Sequence, residues 1–375
     1  ERQRASQLAG PAVTSTPIGA LAPPPPAPPA AARGSGANVD ISFLVEAAQN
    51  ALAKKDYKTS SEIARQAEQA NPNSAIAHRL AADAALGQNE LVEAEREYIA
   101  AVTLDPNDPE TQLGLARIAD RQDQPNTAAA HYRRALELDP RSLEAALGLG
   151  KALAALGDSS GARLALGRAT EIDPSSPDAR ARFGAFLSAQ GDFRAAIDQE
   201  VEAVRLAPEI ASYHARLGGD YRAAKMYREA GRELAEAVRL DPGDLDSWKM
   251  LGSIQMKLGA PDAAADAYAR ALELSPVDEI AVTGRAAALA ARQRWEQVRV
   301  LLSSARARLP GSAAVANDLG VAQYSLGMLD EAVASLQAAH ELARQDESIS
   351  ARLERARAAR DLGKGALEPV RAATR

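Results

Sequence analysis

Between residues 41 and 346 the apolar residues recur in helical blocks of about 13, two blocks to a unit, with a polar turn between them. Counting from Ile41 as position 1, the pattern divides into nine units of 34 residues. Position 27 is alanine in all nine units, from Ala67 and Ala101 to Ala305 and Ala339. Position 20 is alanine in seven, with Ser60 and Val298 as exceptions. Position 8 is always Ala or Gly, and position 24 is mostly large: Tyr98, Tyr132, Leu166, Leu234, Tyr268, Leu302 and Leu336. Such a pattern predicts two packed helices per unit, with small residues where helices approach closely. Glycine inside a helix costs roughly 1 kcal/mol relative to alanine, so Gly150, Gly184, Gly218, Gly252 and Gly320 at position 8 imply a packing need.

Proline marks the same period. It occurs at 72, 106, 140, 174, 208, 242, 276 and 310, always at position 32. The other prolines of this region are Pro109 and Pro177 at position 1, and Pro125 and Pro261 at position 17. Those are helix ends and first turns, where a missing N–H does least harm. Position 15, in the inter-helix turn, is glycine at 157, 191, 259 and 327. Beyond the ninth unit, Ile349, Leu353, Ala356 and Leu362 keep a helical spacing, so residues 347–363 are expected to form a polar capping helix and 364–375 a flexible tail.

The head of the chain is a different material. Residues 1–38 hold eight of the 21 prolines, including Pro23–Pro26, and have no periodic apolar face. They are expected to be a disordered, proline-rich linker ahead of the units at 39–346. PxxP spacing is present and would suit a proline-recognising domain, but a spacer is the better reading.

Composition supports helices. Aromatics are only 4% of the chain and alanine is abundant, which argues against a large β-protein. There is no cysteine, so disulfides, thiolate metal sites and Cys nucleophiles are excluded. The net charge is −6, yet residues 1–38 carry +2 and 347–375 carry +3, which leaves the body near −11. An acidic body disfavours nucleic acid, which needs a basic surface. No apolar run reaches the roughly 20 residues needed to span a bilayer. The chain begins at Glu1 without Met, which leaves open a signal peptide or anchor lost upstream.

The small residue at 8, Ala at 20, large residue at 24, Ala at 27 and Pro at 32 together resemble the tetratricopeptide repeat. The resemblance covers 306 of the 375 residues. It implies an all-α fold, a right-handed α-α superhelical solenoid of antiparallel helix hairpins. The first unit (Ser60, Ala64) and the eighth (Arg285, Val298) fit less well, and the ninth has Arg344 in place of its closing proline. The pentatricopeptide pattern, an RNA reader of similar period, fits the motif and the charge worse.

Little in the chain suggests catalysis or cofactor binding. Gly157-Asp158-Ser159-Ser160-Gly161 matches GxSxG, but it lies between two helical blocks rather than after a strand. No P-loop, HExxH or dinucleotide fingerprint is present. His78 and His214 share position 4, while His131 and His340 lie in second helices, and no pair has ligand spacing. Asp241, Asp244 and Asp246 suit helix capping better than a calcium loop. The expectation is no enzyme activity, no cofactor and no metal.

The resemblance implies that the working surface is the concave face, built from positions 2, 5, 6, 9, 12 and 13 of the first helices. In units three to seven these places hold a basic set: Arg117, Arg121, Lys151, Arg182, Arg216, Arg222, Lys249 and Lys257. Gly114, Gly148, Ala181, Ala185, Ala215 and Gly219 lie between them, which suggests a shallow groove with exposed backbone and cationic walls. Such a groove would take an acidic extended peptide or other protein segment. The Lys and Asn set with which some family members clamp chaperone tails is absent. The chain therefore reads as a non-catalytic scaffold or adaptor for a protein partner. Its composition and proline spacer point to bacterial cell-envelope assembly (pilus, secretion or polysaccharide export) rather than the cytoplasm. The alternative is the targeting half of a larger enzyme, such as a repeat-fused glycosyltransferase.

Overall fold

A computed structural model describes residues 40–372, with side chains through residue 363. The proline-rich head, residues 1–38, and the end of the tail lie outside the described residues. The first helices of successive units are α1 (Ser42–Ala53), α3 (Ala75–Gly87), α5 (Pro109–Arg121), α7 (Leu143–Ala155), α9 (Pro177–Ala189), α11 (Ala211–Ala223), α13 (Leu245–Lys257), α15 (Glu279–Ala291) and α17 (Ala313–Ser325). The second helices are α2 (Tyr57–Ala70), α4 (Leu91–Leu104), α6 (Pro125–Leu138), α8 (Ser159–Ile172), α10 (Phe193–Leu206), α12 (Tyr227–Leu240), α14 (Pro261–Leu274), α16 (Trp295–Arg308) and α18 (Leu329–Leu342). A final helix, α19, spans Glu347–Ala372. There is no strand among the described residues. The protein is an all-α solenoid of paired antiparallel helices, in which each helix packs only on elements one or two places away in the chain.

Local chemistry sets the helix ends. Ser74, Asp108, Ser142, Ser176, Asp244, Asp278 and Ser312, all at position 34, accept the N–H three residues on and start the first helices. Asp56, Asp158 and Asp192 do the same for α2, α8 and α10. The hairpin turn requires one residue with positive φ, and that residue is always position 15. Glycine fills it four times, but Lys55, Asn89, Asp123, Lys225 and Gln293 adopt it with φ of 55–63°. A left-handed conformation costs an L-residue about 1–2 kcal/mol, more than the extra entropy glycine loses on folding. Gln293→Gly is therefore expected to stabilise the array by about 0.5–1 kcal/mol, read as a raised urea midpoint with an unchanged slope.

Packing follows the register. Every position-27 alanine is buried, none more than 3% exposed. The side chain at position 24 lies over position 8 of its own unit: Leu166 over Gly150, Leu234 over Gly218, Leu336 over Gly320. It also faces position 6 of the next unit, and there the volumes complement each other. Tyr98, Tyr132 and Tyr268 fill the space that a side chain at Gly114, Gly148 and Gly284 would need. Where position 24 is leucine, the facing residue is larger: Arg182, Met250, Asp318 and Arg352.

Position 4 ties neighbouring units together. His78, His214 and Trp248 each donate a ring N–H to the carbonyl of the preceding position-32 proline, Pro72, Pro208 and Pro242. The proline that marks a unit's end thus also serves as the acceptor for the next unit's first helix.

Candidate functional site

The eight basic residues all lie in first helices, and most of them are already occupied. The Arg117 guanidinium forms two parallel bonds to Glu144 on the next first helix, Nε to Oε1 and Nη2 to Oε2, each 2.5 Å. This bidentate pair raises the Arg117 pKa further. Lys151 Nζ lies 3.2 Å from Asp120 Oδ2 on the preceding first helix. Arg182 pairs with Asp178 one turn back at 2.7 Å. Lys249 sits between Asp246 at 2.8 Å and Asp278 at 3.1 Å, and its hydrogen bonds to both, that to Asp246 first, raise its pKa. Two arginines reach backbone instead. Arg121 donates to the Leu86 carbonyl, at the C-terminal end of α3, at 2.8 Å. Arg216 donates to the Ala181 carbonyl at 2.9 Å and lies 3.6 Å from Glu200. Arg222 and Lys257, near the C-terminal ends of α11 and α13, are exposed and form no ion pair among the described residues.

Arg117, Lys151 and Lys249 thus alternate with acids of neighbouring first helices instead of standing as free cations. The expectation of exposed backbone at Gly114 and Gly148 also changes, because tyrosine rings from the preceding units fill both places. Their hydroxyls emerge among the acids: Tyr98 donates to Asp83 at 2.5 Å and Tyr132 to Asp120 at 3.0 Å. Burial, followed by the neighbouring carboxylate, pushes both phenol pKa values up, so both hydroxyls remain donors at neutral pH. A cleft of about 510 Å³ opens over this stretch. Tyr132, Leu147 and Gly148 are among its lining residues, together with the acids Asp120, Glu144 and Asp178 and the cations Lys151 and Arg182. A surface of this kind suits a segment that carries both charge signs and some apolar area.

One feature of this face was not apparent from residue type alone. Glu200 stands at position 24 of the fifth unit, where every other unit except the first has Tyr or Leu, and it is 1% exposed. It lies over Gly184 and faces Arg216 and Asp220. Ser188 donates to Asp220 Oδ1 at 2.6 Å, but both Glu200 oxygens and Asp220 Oδ2 are buried without a hydrogen-bond partner. Burial, followed by the Asp220 charge, lifts the Glu200 pKa to about 8. Arg216, assigned to the groove from its register, is thus part of the joint between units five and six.

The GxSxG stretch is structural. Asp158 caps α8 by accepting from Gly161, Ser160 donates back to Asp158, and Ser159 reaches Gln190 in the next turn. The aspartates at 241, 244 and 246 accept backbone N–H groups of the turn and the α13 start or pair with Lys249. No helix among the described residues is long and apolar enough to cross a membrane.

The model of a family described as tetratricopeptide repeat matches residues 45–109, 113–177, 217–279 and 249–297. Among solved structures, the C-terminal part of a TPR repeat-containing protein from Cytophaga hutchinsonii is 14% identical, with a TM-score of 0.55 over 64% of this chain and 98% of that one. PilF of Pseudomonas aeruginosa is 17% identical, with a TM-score of 0.47 over 55% of this chain and 94% of that one. YrrB, a TPR protein with an unusual peptide-binding site, is 23% identical, with a TM-score of 0.45 over 50% of this chain and 96% of that one. At these identities the likeness concerns the fold. No curated protein matches the chain.

Proposed function

Because this chain belongs to the tetratricopeptide repeat family, we propose that it is a non-catalytic scaffold that holds an extended segment of a protein partner along its first-helix face. The observation that carries this reading is the cleft over α5, α7 and α9, with tyrosine and leucine in its lining and both charge signs at hand. A segment laid there exchanges intramolecular ion pairs for intermolecular ones, so specificity comes from the order of charges more than from net charge. Acidic residues of the partner are held at Arg222 and Lys257, the two exposed cations of the set that form neither an ion pair nor a side-chain hydrogen bond among the described residues. The setting we propose is bacterial cell-envelope assembly, with residues 1–38 as the spacer that tethers the array; the composition of that segment supports this setting.

The experiment starts with a partner captured by the full chain and identified. Arg222→Glu combined with Lys257→Glu is expected to weaken its binding at least about tenfold and to flatten its dependence on salt. These two side chains make no ion pair among the described residues, so the double variant should unfold at the parent's midpoint. The proposal is overturned if the double variant binds as the parent does while Val92→Glu or Leu164→Glu, at exposed apolar positions of second helices, abolishes binding.

A further inference from the structure

Two histidines occupy position 4, and comparing them isolates an anomaly. At His214 the bonding is complete with two partners: one ring nitrogen meets the Pro208 carbonyl at 2.9 Å and Nδ1 meets Glu233 Oε2 at 2.7 Å. His78 repeats both contacts, with Pro72 at 3.2 Å and Glu97 Oε2 at 2.7 Å. It then has a third neighbour that His214 lacks. Glu68 Oε1 lies 3.6 Å from His78 Nδ1. The equivalent residue beside His214, at position 28 of the preceding unit, is Val204.

Glu68 Oε1 is buried and has no hydrogen-bond partner. A buried carboxylate oxygen with no donor is costly, and the position-4 tie does not need it, as His214 demonstrates. The three potential ligand atoms lie within 4.8 Å of one another. Metal–ligand bonds of about 2.0–2.1 Å in tetrahedral geometry need donor atoms about 3.3 Å apart, and the separations of 2.7 and 3.6 Å from Nδ1 bracket that value. Supporting bonds are in place as well. The Nε2 proton goes to the Pro72 carbonyl, so once the proton between Nδ1 and Glu97 Oε2 is lost, the Nδ1 lone pair faces the two carboxylates. Arg96 holds the other oxygen of Glu97 at 2.8 Å and so orients Oε2. Glu68 and Glu97 also line a surface hollow of about 260 Å³ between α2 and α4, beside Arg65 and Arg96.

We propose that Glu68, His78 and Glu97 form a binding site for a divalent transition-metal ion, with Zn²⁺ the best match to one imidazole and two carboxylates. Water from the hollow completes the coordination. Binding displaces any proton held between His78 Nδ1 and Glu97 Oε2 and releases it to solvent. The ligands come from α2, α3 and α4, so the ion clamps the first unit, whose Ser60 and Ala64 replace the usual Ala and large residue, onto the second.

The test uses the untagged full chain, stripped of metal and titrated at neutral pH with Zn²⁺ and, for its visible absorption, with Co²⁺. One equivalent is expected to bind, with release of protons, protection of α2 amides from hydrogen exchange and Co²⁺ bands of tetrahedral type. Removing an outer-shell partner of a metal ligand already costs 10–100-fold in affinity, so Glu68→Gln and His78→Gln, which remove ligands themselves, should each cost more than about 100-fold. His214→Gln should bind as the parent does. Glu68→Gln is the decisive variant, because its carboxylate oxygen loses no donor and its circular dichroism should match the parent's. The proposal is overturned if the full chain shows no saturable binding, or if Glu68→Gln binds Zn²⁺ as tightly as the parent; the site is then an imidazolium bridged by carboxylates.

Discussion

Glu200→Leu is expected to stabilise the array, by about 1–4 kcal/mol at pH 7, although it removes a partner of Arg216. Leucine already fills position 24 in four other units and fits over glycine at position 8, as Leu166, Leu234 and Leu336 do. The glutamate brings two buried oxygens with no donor, and it faces Asp220 from α11 as well as Arg216. After the change Arg216 keeps the Ala181 carbonyl, and Asp220 keeps the bond from Ser188. The pH dependence has a definite sign. Burial first and Asp220 second raise the Glu200 pKa from 4.5 to about 8. Between those values the folded chain holds a proton that the unfolded chain has released, so stability is highest at the acid end and falls as pH rises through the window. The gain from Glu200→Leu should accordingly be larger at pH 8.5 than at pH 4.5. Urea midpoints measured at both values would reveal this, and a gain that shrinks with rising pH would contradict the assignment.

Gly148→Met is expected to destabilise by about 1–3 kcal/mol, because its first side-chain carbon would overlap the Tyr132 ring. That ring is 3% exposed and tied to Asp120 through its hydroxyl, so it has little room to retreat. Tyr132→Leu alone should also destabilise, by removing the ring and its bond. The two changes together reproduce the Leu234–Met250 pair found later in the chain. They should therefore be far from additive, with a coupling of about 1–3 kcal/mol in the favourable direction. A double-mutant cycle by urea denaturation measures it, and additive losses would show that positions 24 and 6 do not share one volume.

Much of the fold was legible because the same packing constraint recurs every 34 residues. An alanine such as Ala203 at position 27 is required by a crossing helix, and that requirement returns in each unit, so period and register stand out without any structure. The groove was legible only in part. Arg117, Lys151 and Lys249 lie in first helices, α5, α7 and α13. Their neutralisation was missed because the partners Glu144, Asp120 and Asp278 lie roughly one unit away along the chain. Acids at position 2, such as Glu144, also serve helix N-termini, and that simpler role concealed the second one. Gly114 and Gly148 gave the impression of open backbone because the side chains that fill them belong to the preceding unit. Glu200 did leave a signal, a charged residue at a position otherwise mostly Tyr or Leu. The Glu68, His78 and Glu97 cluster left none, since its members stand at positions 28, 4 and 23 of neighbouring units and acids are common throughout.

Contact confined to near neighbours has a mechanical consequence. A pull applied between the two ends passes through every joint in turn, with no second route to share the load, so the array resembles a chain whose strength is that of its softest link. The apolar core is broken between the cluster that ends at Ala196 and the one that begins at Ala230, and that break holds Glu200, Arg216 and Asp220. That joint sits near the middle of the array, and a proton on Glu200 adds to the force it bears.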